Sequence, residues 1–144
     1  IFPYSYESSD FESVNIIKVA SGICPQNRKT KTAPGGYLRK INPLLPTKEN
    51  IQKGRNLFVK DTKPTACKLC HGMRGNGNGS LAKGMEPPPR NFTCGKTMKG
   101  LLDGQLFWVI RNGSKGTAMP AHKFSLSKEQ IWQLILYIRR FLET

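Results

Sequence analysis

Two cysteines and a histidine lie close enough together in this sequence to bind the same chemical group. Cys67 and Cys70 are separated by two residues, and His71 follows directly. Two thiols at this spacing on a helical turn can each reach one vinyl group of the same porphyrin, and the adjoining imidazole can approach the iron. The pattern is an attachment signal for covalently bound haem. It predicts one haem c, joined through Cys67 and Cys70, with His71 as an iron ligand.

The same cysteine pair permits two other interpretations. It could form half of a zinc site, for which Cys24 and Cys94 are the remaining thiols, or it could act as a redox-active dithiol. The histidine directly after the pair and the features further along the chain favour haem attachment over both.

Several side chains could occupy the second axial position of the iron. The candidates are Met73, Met85, Met98, Met119 and His122. Met73 lies too close to the Cys-x-x-Cys-His motif to cross to the other face of a haem. Met119 lies in the stretch 113–121, where two glycines and Pro120 favour a tight loop that can press a thioether onto the iron. We therefore predict Met119 as the second ligand, with His122 as the main alternative and Met85 and Met98 as remote ones.

Whether both axial positions of the haem iron are filled decides between an electron carrier and a catalyst. Ligation by His71 and Met119 leaves no open position on the iron for a substrate or for O₂, and a methionine ligand raises the reduction potential. The residues therefore predict an electron carrier without catalytic residues, and not an enzyme.

Three helices are predicted to position these side chains. The first begins after Thr47 as N-cap and ends before Pro64, and the second runs from about Leu102 to Arg111. The third opens with a capping box at Ser127 and carries an apolar stripe. No strand is predicted after residue 47.

Residues 1–46 contain repeated prolines and glycines, which favour irregular structure. We predict an N-terminal extension over 1–46, packed on a haem domain that spans 47–144. Within the extension, Phe11 to Ala20 could form a short strand or helical turn. Tyr4, Tyr6 and Phe11 could anchor it to the haem domain.

The composition fits one basic domain. The chain has 144 residues and a formal net charge of +14, which favours association with acidic partners. No recognition motif accompanies the basic residues, so nucleic-acid binding is not expected. The longest apolar stretch, residues 131–138, is too short to span a membrane. The first residues lack the basic and apolar regions of a signal peptide, and we expect a processed form of an exported protein.

From about Asn50 to Leu142 the chain resembles the bacterial class I cytochromes c. The residues that carry the resemblance are Gly54 and Phe58 in the first helix, the motif 67–72, the run 87–92, the loop 113–120, and Tyr137 in the last helix. The resemblance implies an all-α fold around one haem, in which the first and last helices cross. Gly54 would allow their close approach, and Phe58 and Tyr137 would pack at the contact.

The resemblance also implies contacts around the haem. A proline carbonyl, from Pro87 or Pro88, would accept a hydrogen bond from the His71 ring. Arg90 and Trp108 are candidates for contacts to a haem propionate, although Arg90 could equally be a surface charge and Trp108 a core residue. Cytochromes of this type mature outside the cytoplasm, where disulfides persist. A Cys24–Cys94 bridge is therefore expected, and it would join the extension to the loop after the prolines.

The expected function is that of a soluble, monomeric periplasmic carrier that shuttles single electrons by outer-sphere transfer. Its partners would be acidic redox proteins, such as multihaem cytochromes or a terminal reductase. The lysines expected to steer docking are Lys68, Lys83, Lys96, Lys99, Lys115 and Lys123. An alternative is an electron-transfer subunit of a larger oxidoreductase complex, with the extension as its docking arm. A haem sensor or peroxidase-like enzyme would need an open sixth position.

Overall fold

The computed structural model describes residues 22–26 and 29–143 of the chain. These residues form six α-helices and no strand, which confirms the predicted all-α class. The helices are α1 Gly35–Leu38, α2 Lys48–Asn56, α3 Lys68–His71, α4 Gly95–Met98, α5 Asp103–Asn112 and α6 Lys128–Arg140. The π-helical turn Leu57–Asp61 continues α2, and the 3₁₀ turn Phe141–Glu143 follows α6.

The ends of the long helices are set by local chemistry. The Thr47 side chain accepts a hydrogen bond from the Asn50 N–H at 3.1 Å, which caps α2. Ser127 and Gln130 form the predicted capping box of α6, with reciprocal bonds of 3.1 and 2.9 Å. Gly113 ends α5 with a φ of +76°, a left-handed conformation that favours glycine. All three predicted helices are confirmed to within a few residues.

The first and last long helices, α2 and α6, cross at Gly54. A Cβ atom on Gly54 would overlap the carbonyl oxygen of Gln133 and lie 2.9 Å from the Cβ of Tyr137. The Phe58 ring packs beside this contact, 5.4 Å from the Tyr137 ring and 5.3 Å from the Phe141 ring between centroids. The crossing expected from the resemblance is therefore present, and it depends on the missing side chain of Gly54.

Replacing Gly54 with alanine is expected to lower the free energy of unfolding by about 2 kcal/mol or more, because the new methyl group must push α2 away from α6. The measurement is equilibrium unfolding of the haem protein in guanidinium chloride. Gly100→Ala is the matched control, since a Cβ there meets nothing within 4 Å. Equal stability of the two variants would contradict a tight crossing.

The helix α5 is held between the last helix and the extension. The Arg139 guanidinium donates to the Asp103 carboxylate at 2.8 Å and to the Met98 carbonyl at 3.0 Å, joining α6 to the start of α5 and to α4. On the other side, the Tyr37 ring of α1 stacks on Phe107 at 6.2 Å. These contacts fix the face of α5 that borders the site described below.

In the described part of the extension, α1 is a helical turn that was not predicted. Two glycines disfavour a helix at α1, but the Pro34 carbonyl accepts hydrogen bonds from the Tyr37 and Leu38 N–H groups at 2.8 and 3.2 Å. Packing of Tyr37 on Phe107 then stabilises the turn. Tertiary contact therefore overrides local propensity here.

The predictions for Tyr4, Tyr6 and the segment Phe11 to Ala20 fall outside the described residues. Over the part of the chain that the structure describes, no helix is both long and apolar enough to cross a membrane.

Candidate haem-binding site

Two adjoining cavities lie among α3, α5, α6 and the loops that follow α3 and α5. They contain about 830 and 520 Å³ of space without protein atoms, water at their mouths included. Cys70, His71 and Met119 line both of them. Apolar walls shared by the two cavities are supplied by Phe92, Ile110 and Ile138. The structure thus brings Cys70, His71 and Met119, three of the residues that sequence reasoning assigned to a haem, to the border of both cavities.

The turn of α3 brings both thiols to this space. The N–H groups of Cys70 and His71 donate to the Cys67 carbonyl at 3.2 and 2.9 Å, so the two cysteines lie about one helical turn apart. Neither cysteine is in a disulfide. Cys67 lines the smaller cavity and Cys70 lines both, so the two thiols present two attachment points to one planar group.

Burial controls the protonation of the thiols. Loss of hydration raises the pKa of Cys67 to about 11, although a hydrogen bond with Thr62 acts in the opposite direction. Burial also raises the pKa of Cys70. The raised pKa of both groups favours the neutral thiol, whereas a reactive dithiol requires the thiolate.

The zinc alternative finds no support in the structure. Cys24 and Cys94 are bonded to each other, with their Cα atoms 5.5 Å apart, and so cannot complete a site with the other pair. Within residues 22–26 and 29–143, no group of three or more His, Cys, Asp or Glu side chains is arranged to hold a metal ion.

The His71 ring is oriented by the backbone. Its Nδ1 lies 3.0 Å from the carbonyl oxygen of Arg90. Because a carbonyl can only accept, Nδ1 carries the proton, and Nε2 is the basic nitrogen that a metal would take. The ring also stacks on Phe92 at a centroid distance of 4.4 Å.

This contact corrects the predicted role of the prolines. The carbonyl that meets His71 belongs to Arg90, and not to Pro87 or Pro88. The register is set from the extension: the Gln26 side chain donates to the Pro89 carbonyl and accepts from the Asn91 N–H, both at 2.8 Å. The carbonyl of Arg90, between these two anchors, is the one that turns towards His71. Pro88 remains part of the site as a wall of the larger cavity.

Met119 is presented by a loop with its own hydrogen bonds. The Ser114 N–H donates to the Met119 carbonyl at 3.2 Å, and the Met119 N–H donates to the Thr117 hydroxyl oxygen at 3.1 Å. That hydroxyl in turn donates to the Ser114 carbonyl at 2.7 Å. These three hydrogen bonds fix the shape of the loop, which therefore holds Met119 in one position at the border of both cavities.

The other candidates for the second iron ligand differ in their exposure and in the cavity that they line. Met73 is 48% exposed, and Met98 is fully buried in the core and lines neither cavity. Met85 lines the larger cavity and His122 the smaller one. His122 is 3% exposed, its ring nitrogens have no hydrogen-bond partner among the described residues, and burial lowers its pKa.

The face of α5 that borders the cavities does not include Trp108, which was predicted together with Arg90 to contact a haem propionate. Arg90 lines the larger cavity, but Trp108 lines neither one. The cavity face of α5 is formed by Gln105, Leu106, Val109 and Ile110. At 100° per residue, Trp108 falls away from this face. Sequence reasoning missed Gln105, which is 7% exposed; a polar residue on an otherwise apolar helix face was the available signal.

The donor set fits a c-type haem. Two unpaired thiols, an imidazole with its Nδ1 proton fixed by a carbonyl, and a thioether border one largely apolar space. An imidazole and a thioether are an established axial pair for haem iron.

Comparisons with known proteins agree with this fit. The family model described as cytochrome c oxidase, cbb3-type, subunit III matches residues 49–138. No curated protein gives a significant match. Among solved structures, a chain of the Kuenenia stuttgartiensis reducing HAO-like protein complex Kustc0457/Kustc0458 is similar, with 26% identity and a TM-score of 0.61. The alignment covers 80% of this chain and 52% of that one, so this chain spans about half the length of that structural relative.

The family match extends over more than half of the sequence and contains the Cys-x-x-Cys-His motif, the Arg90 segment and the Met119 loop. The chain therefore belongs to the cytochrome c oxidase, cbb3-type, subunit III family, and it is a class I c-type cytochrome.

Proposed function

We propose that this chain carries single electrons with one covalently attached haem, whose iron is ligated by His71 and Met119, and that it has no catalytic activity of its own. The observation that carries the proposal is the placement of both side chains on the same two cavities, beside both free thiols. A pair of protein ligands closes the iron to substrates and leaves electron transfer as its chemistry.

A haem in this space supplies a one-electron couple between ferric and ferrous iron. Cys67 and Cys70 tether it, and the Arg90 carbonyl keeps the His71 ring in one orientation. The apolar walls around Phe92, Ile110 and Ile138 limit the access of water. The loop bonds of Ser114 and Thr117 hold Met119 in place, so that little rearrangement accompanies a change of charge.

The proposal also covers the redox partners and the cellular location of the protein. The net charge of +14 suits weak, salt-sensitive docking to acidic redox proteins, such as multihaem cytochromes or a terminal reductase. Five of the six lysines considered for steering are exposed, and Lys68 is half-buried. A disulfide between Cys24 and Cys94 supports a periplasmic location, because such bonds persist in oxidising compartments.

The test of the carrier function is a pair of spectra of the purified haem protein. We expect a reversible one-electron couple, a weak far-red sulfur-to-iron band in the oxidised state, and no spectral change when carbon monoxide is added to the reduced state. Stoichiometric binding of carbon monoxide to the reduced native protein would contradict the proposal and favour a sensor or a peroxidase-like enzyme.

A second candidate is an electron-transfer subunit of a larger oxidoreductase complex. The similarity to a chain of a reducing HAO-like protein complex favours it. Purification from the native source distinguishes the two: a free carrier elutes as a monomer, whereas a subunit elutes with a second haem protein at fixed stoichiometry, even at high salt.

A further inference from the structure

The carbonyl that orients His71 lies in a segment without regular structure. Among the described residues, 88–91 belong to no helix. Pro88 and Pro89 have no N–H group to donate, so the segment cannot hold its shape by a regular series of backbone hydrogen bonds. The direction of the Arg90 carbonyl therefore depends on contacts with other parts of the chain.

Gln26 supplies such contacts on both sides of Arg90. Its side-chain amide donates to the Pro89 carbonyl and accepts from the Asn91 N–H, both at 2.8 Å. Gln26 lies in the extension, before the region 49–138 that the family model matches. The contact is therefore not made within the matched domain.

The Asn91 N–H and the Arg90 carbonyl belong to the same peptide group. This peptide is trans, so its N–H and its C=O point in opposite directions within one plane. Gln26 binds the N–H edge, and the His71 Nδ1 lies 3.0 Å from the oxygen on the other edge. By accepting from the N–H, Gln26 fixes the direction of the carbonyl and also polarises the peptide, which makes its oxygen a stronger acceptor.

The backbone that presents Gln26 is itself anchored. The disulfide between Cys24 and Cys94 lies two residues before Gln26, and the Asn91 side chain donates to the Ile23 carbonyl at 3.3 Å. Asn91 is buried, so the loss of a hydrogen-bond partner there is costly. A short, fixed piece of the extension thus holds the Gln26 amide against the segment that meets His71.

We propose that Gln26 is a positioning residue for the iron ligand His71: it orients and polarises the Arg90–Asn91 peptide, which in turn strengthens the hydrogen bond from the His71 ring. A stronger bond at Nδ1 makes the imidazole a better electron donor to the metal, which favours ferric over ferrous iron. Gln26 therefore lowers the reduction potential. This inference rests on the proposed function, since it requires a haem whose iron is ligated by His71.

The test compares the reduction potential of the native haem protein with that of Gln26→Leu at neutral pH. The variant keeps a side chain of similar size and removes both hydrogen bonds. We expect the ratio of ferrous to ferric protein at a fixed applied potential to rise about fivefold, which is about 40 mV for a one-electron couple. Exchange of the His71 Nδ1 proton with solvent, followed by NMR in the reduced state, should accelerate about tenfold.

Asn42→Leu is the matched control. Asn42 also lies in the extension, and its side-chain amide also makes one donated and one accepted bond, to the Trp132 carbonyl at 3.1 Å and from the Leu44 N–H at 3.0 Å. It lines neither cavity. This variant should keep the native potential and the native exchange rate of the His71 proton.

The sign of the change separates positioning from a general loosening of the structure. Water that reaches a haem stabilises the more highly charged ferric state and lowers the potential. An unchanged or lowered potential in Gln26→Leu would therefore overturn the proposal, as would an equal rise in Asn42→Leu. A rise without faster exchange would overturn it too, because the hydrogen bond of His71 would then be unchanged.

A second variant covers the case in which Gln26→Leu does not fold. Gln26→Asn keeps an amide but is one methylene shorter and cannot reach both partners, so a potential at or below the native value in this variant would overturn the proposal. Failure of the proposed function is distinguishable, because the native protein itself would then show no reversible one-electron couple.

Discussion

Replacing both Cys67 and Cys70 with alanine is expected to abolish covalent haem attachment. Both thiols border the haem space, and neither has a disulfide partner. Haem staining after denaturing electrophoresis measures the covalent bond directly and does not require the variant to fold. Acid–acetone extraction gives the complementary result: the native protein retains its haem in the aqueous phase, and any haem bound by the double variant is extracted.

The other two cysteines provide the matched control. Cys24→Ala with Cys94→Ala also removes two sulfur atoms, but these form the disulfide that joins the extension to the segment after the prolines. This variant should keep covalent haem, while its stability falls by about 4 kcal/mol, because the bridge joins residues 70 positions apart. Two titratable thiols in the denatured native haem protein would contradict the disulfide. Loss of haem staining in the Cys24/Cys94 variant alone would contradict the assignment of Cys67 and Cys70.

The parts of the fold that could be predicted from sequence are those set by nearby residues. Thr47 and Ser127 cap their helices through bonds that reach three residues along the chain. The Cys-x-x-Cys-His motif likewise acts within one turn of α3. Gly54 at the crossing of α2 and α6 is a longer-range feature, and it was expected from the family resemblance and not from its neighbours.

The acceptor of His71 could not be predicted in this way. Three consecutive prolines offer several carbonyls at nearly equal sequence distance, so local geometry does not choose among them. The choice is made by Gln26, which lies 63 and 65 residues from its two partners on either side of Arg90. Such a contact between distant segments leaves no periodic or spacing signal in the sequence.

The roles of Trp108 and Gln105, both on α5, could not be predicted from nearby residues either. An indole near a predicted haem is a reasonable partner for a propionate, but the rotation of α5 about its axis decides which residues face the cavity. That rotation is fixed by contacts from Arg139 and Tyr37, on elements far away in the sequence. Gln105 takes the polar position on the cavity face and binds the backbone of Lys31 and Ala33 in the extension instead.

The second large effect is expected for Met119→Ala. Loss of the thioether should remove the far-red band, lower the reduction potential, and convert the reduced protein from one that ignores carbon monoxide into one that binds it stoichiometrically. The measurements are the oxidised and reduced spectra with and without carbon monoxide. Met85→Leu is the matched control, because Met85 is the other thioether that lines a cavity, and this variant should keep the native spectra.

His122 defines the competing outcome. It lines the smaller cavity with Met119, and its lowered pKa keeps the imidazole neutral and able to act as a ligand. If His122 were the native ligand, Met119→Ala would stay low-spin and Met85→Leu would also lack the far-red band. The double variant Met119→Ala with His122→Phe shows whether His122 is the ligand of a low-spin Met119→Ala, and the far-red band of the native protein separates a native from a replacement ligand. A low-spin Met119→Ala that becomes high-spin only in the double variant, while the native protein shows the far-red band, would mean that His122 reaches the iron after the thioether is removed.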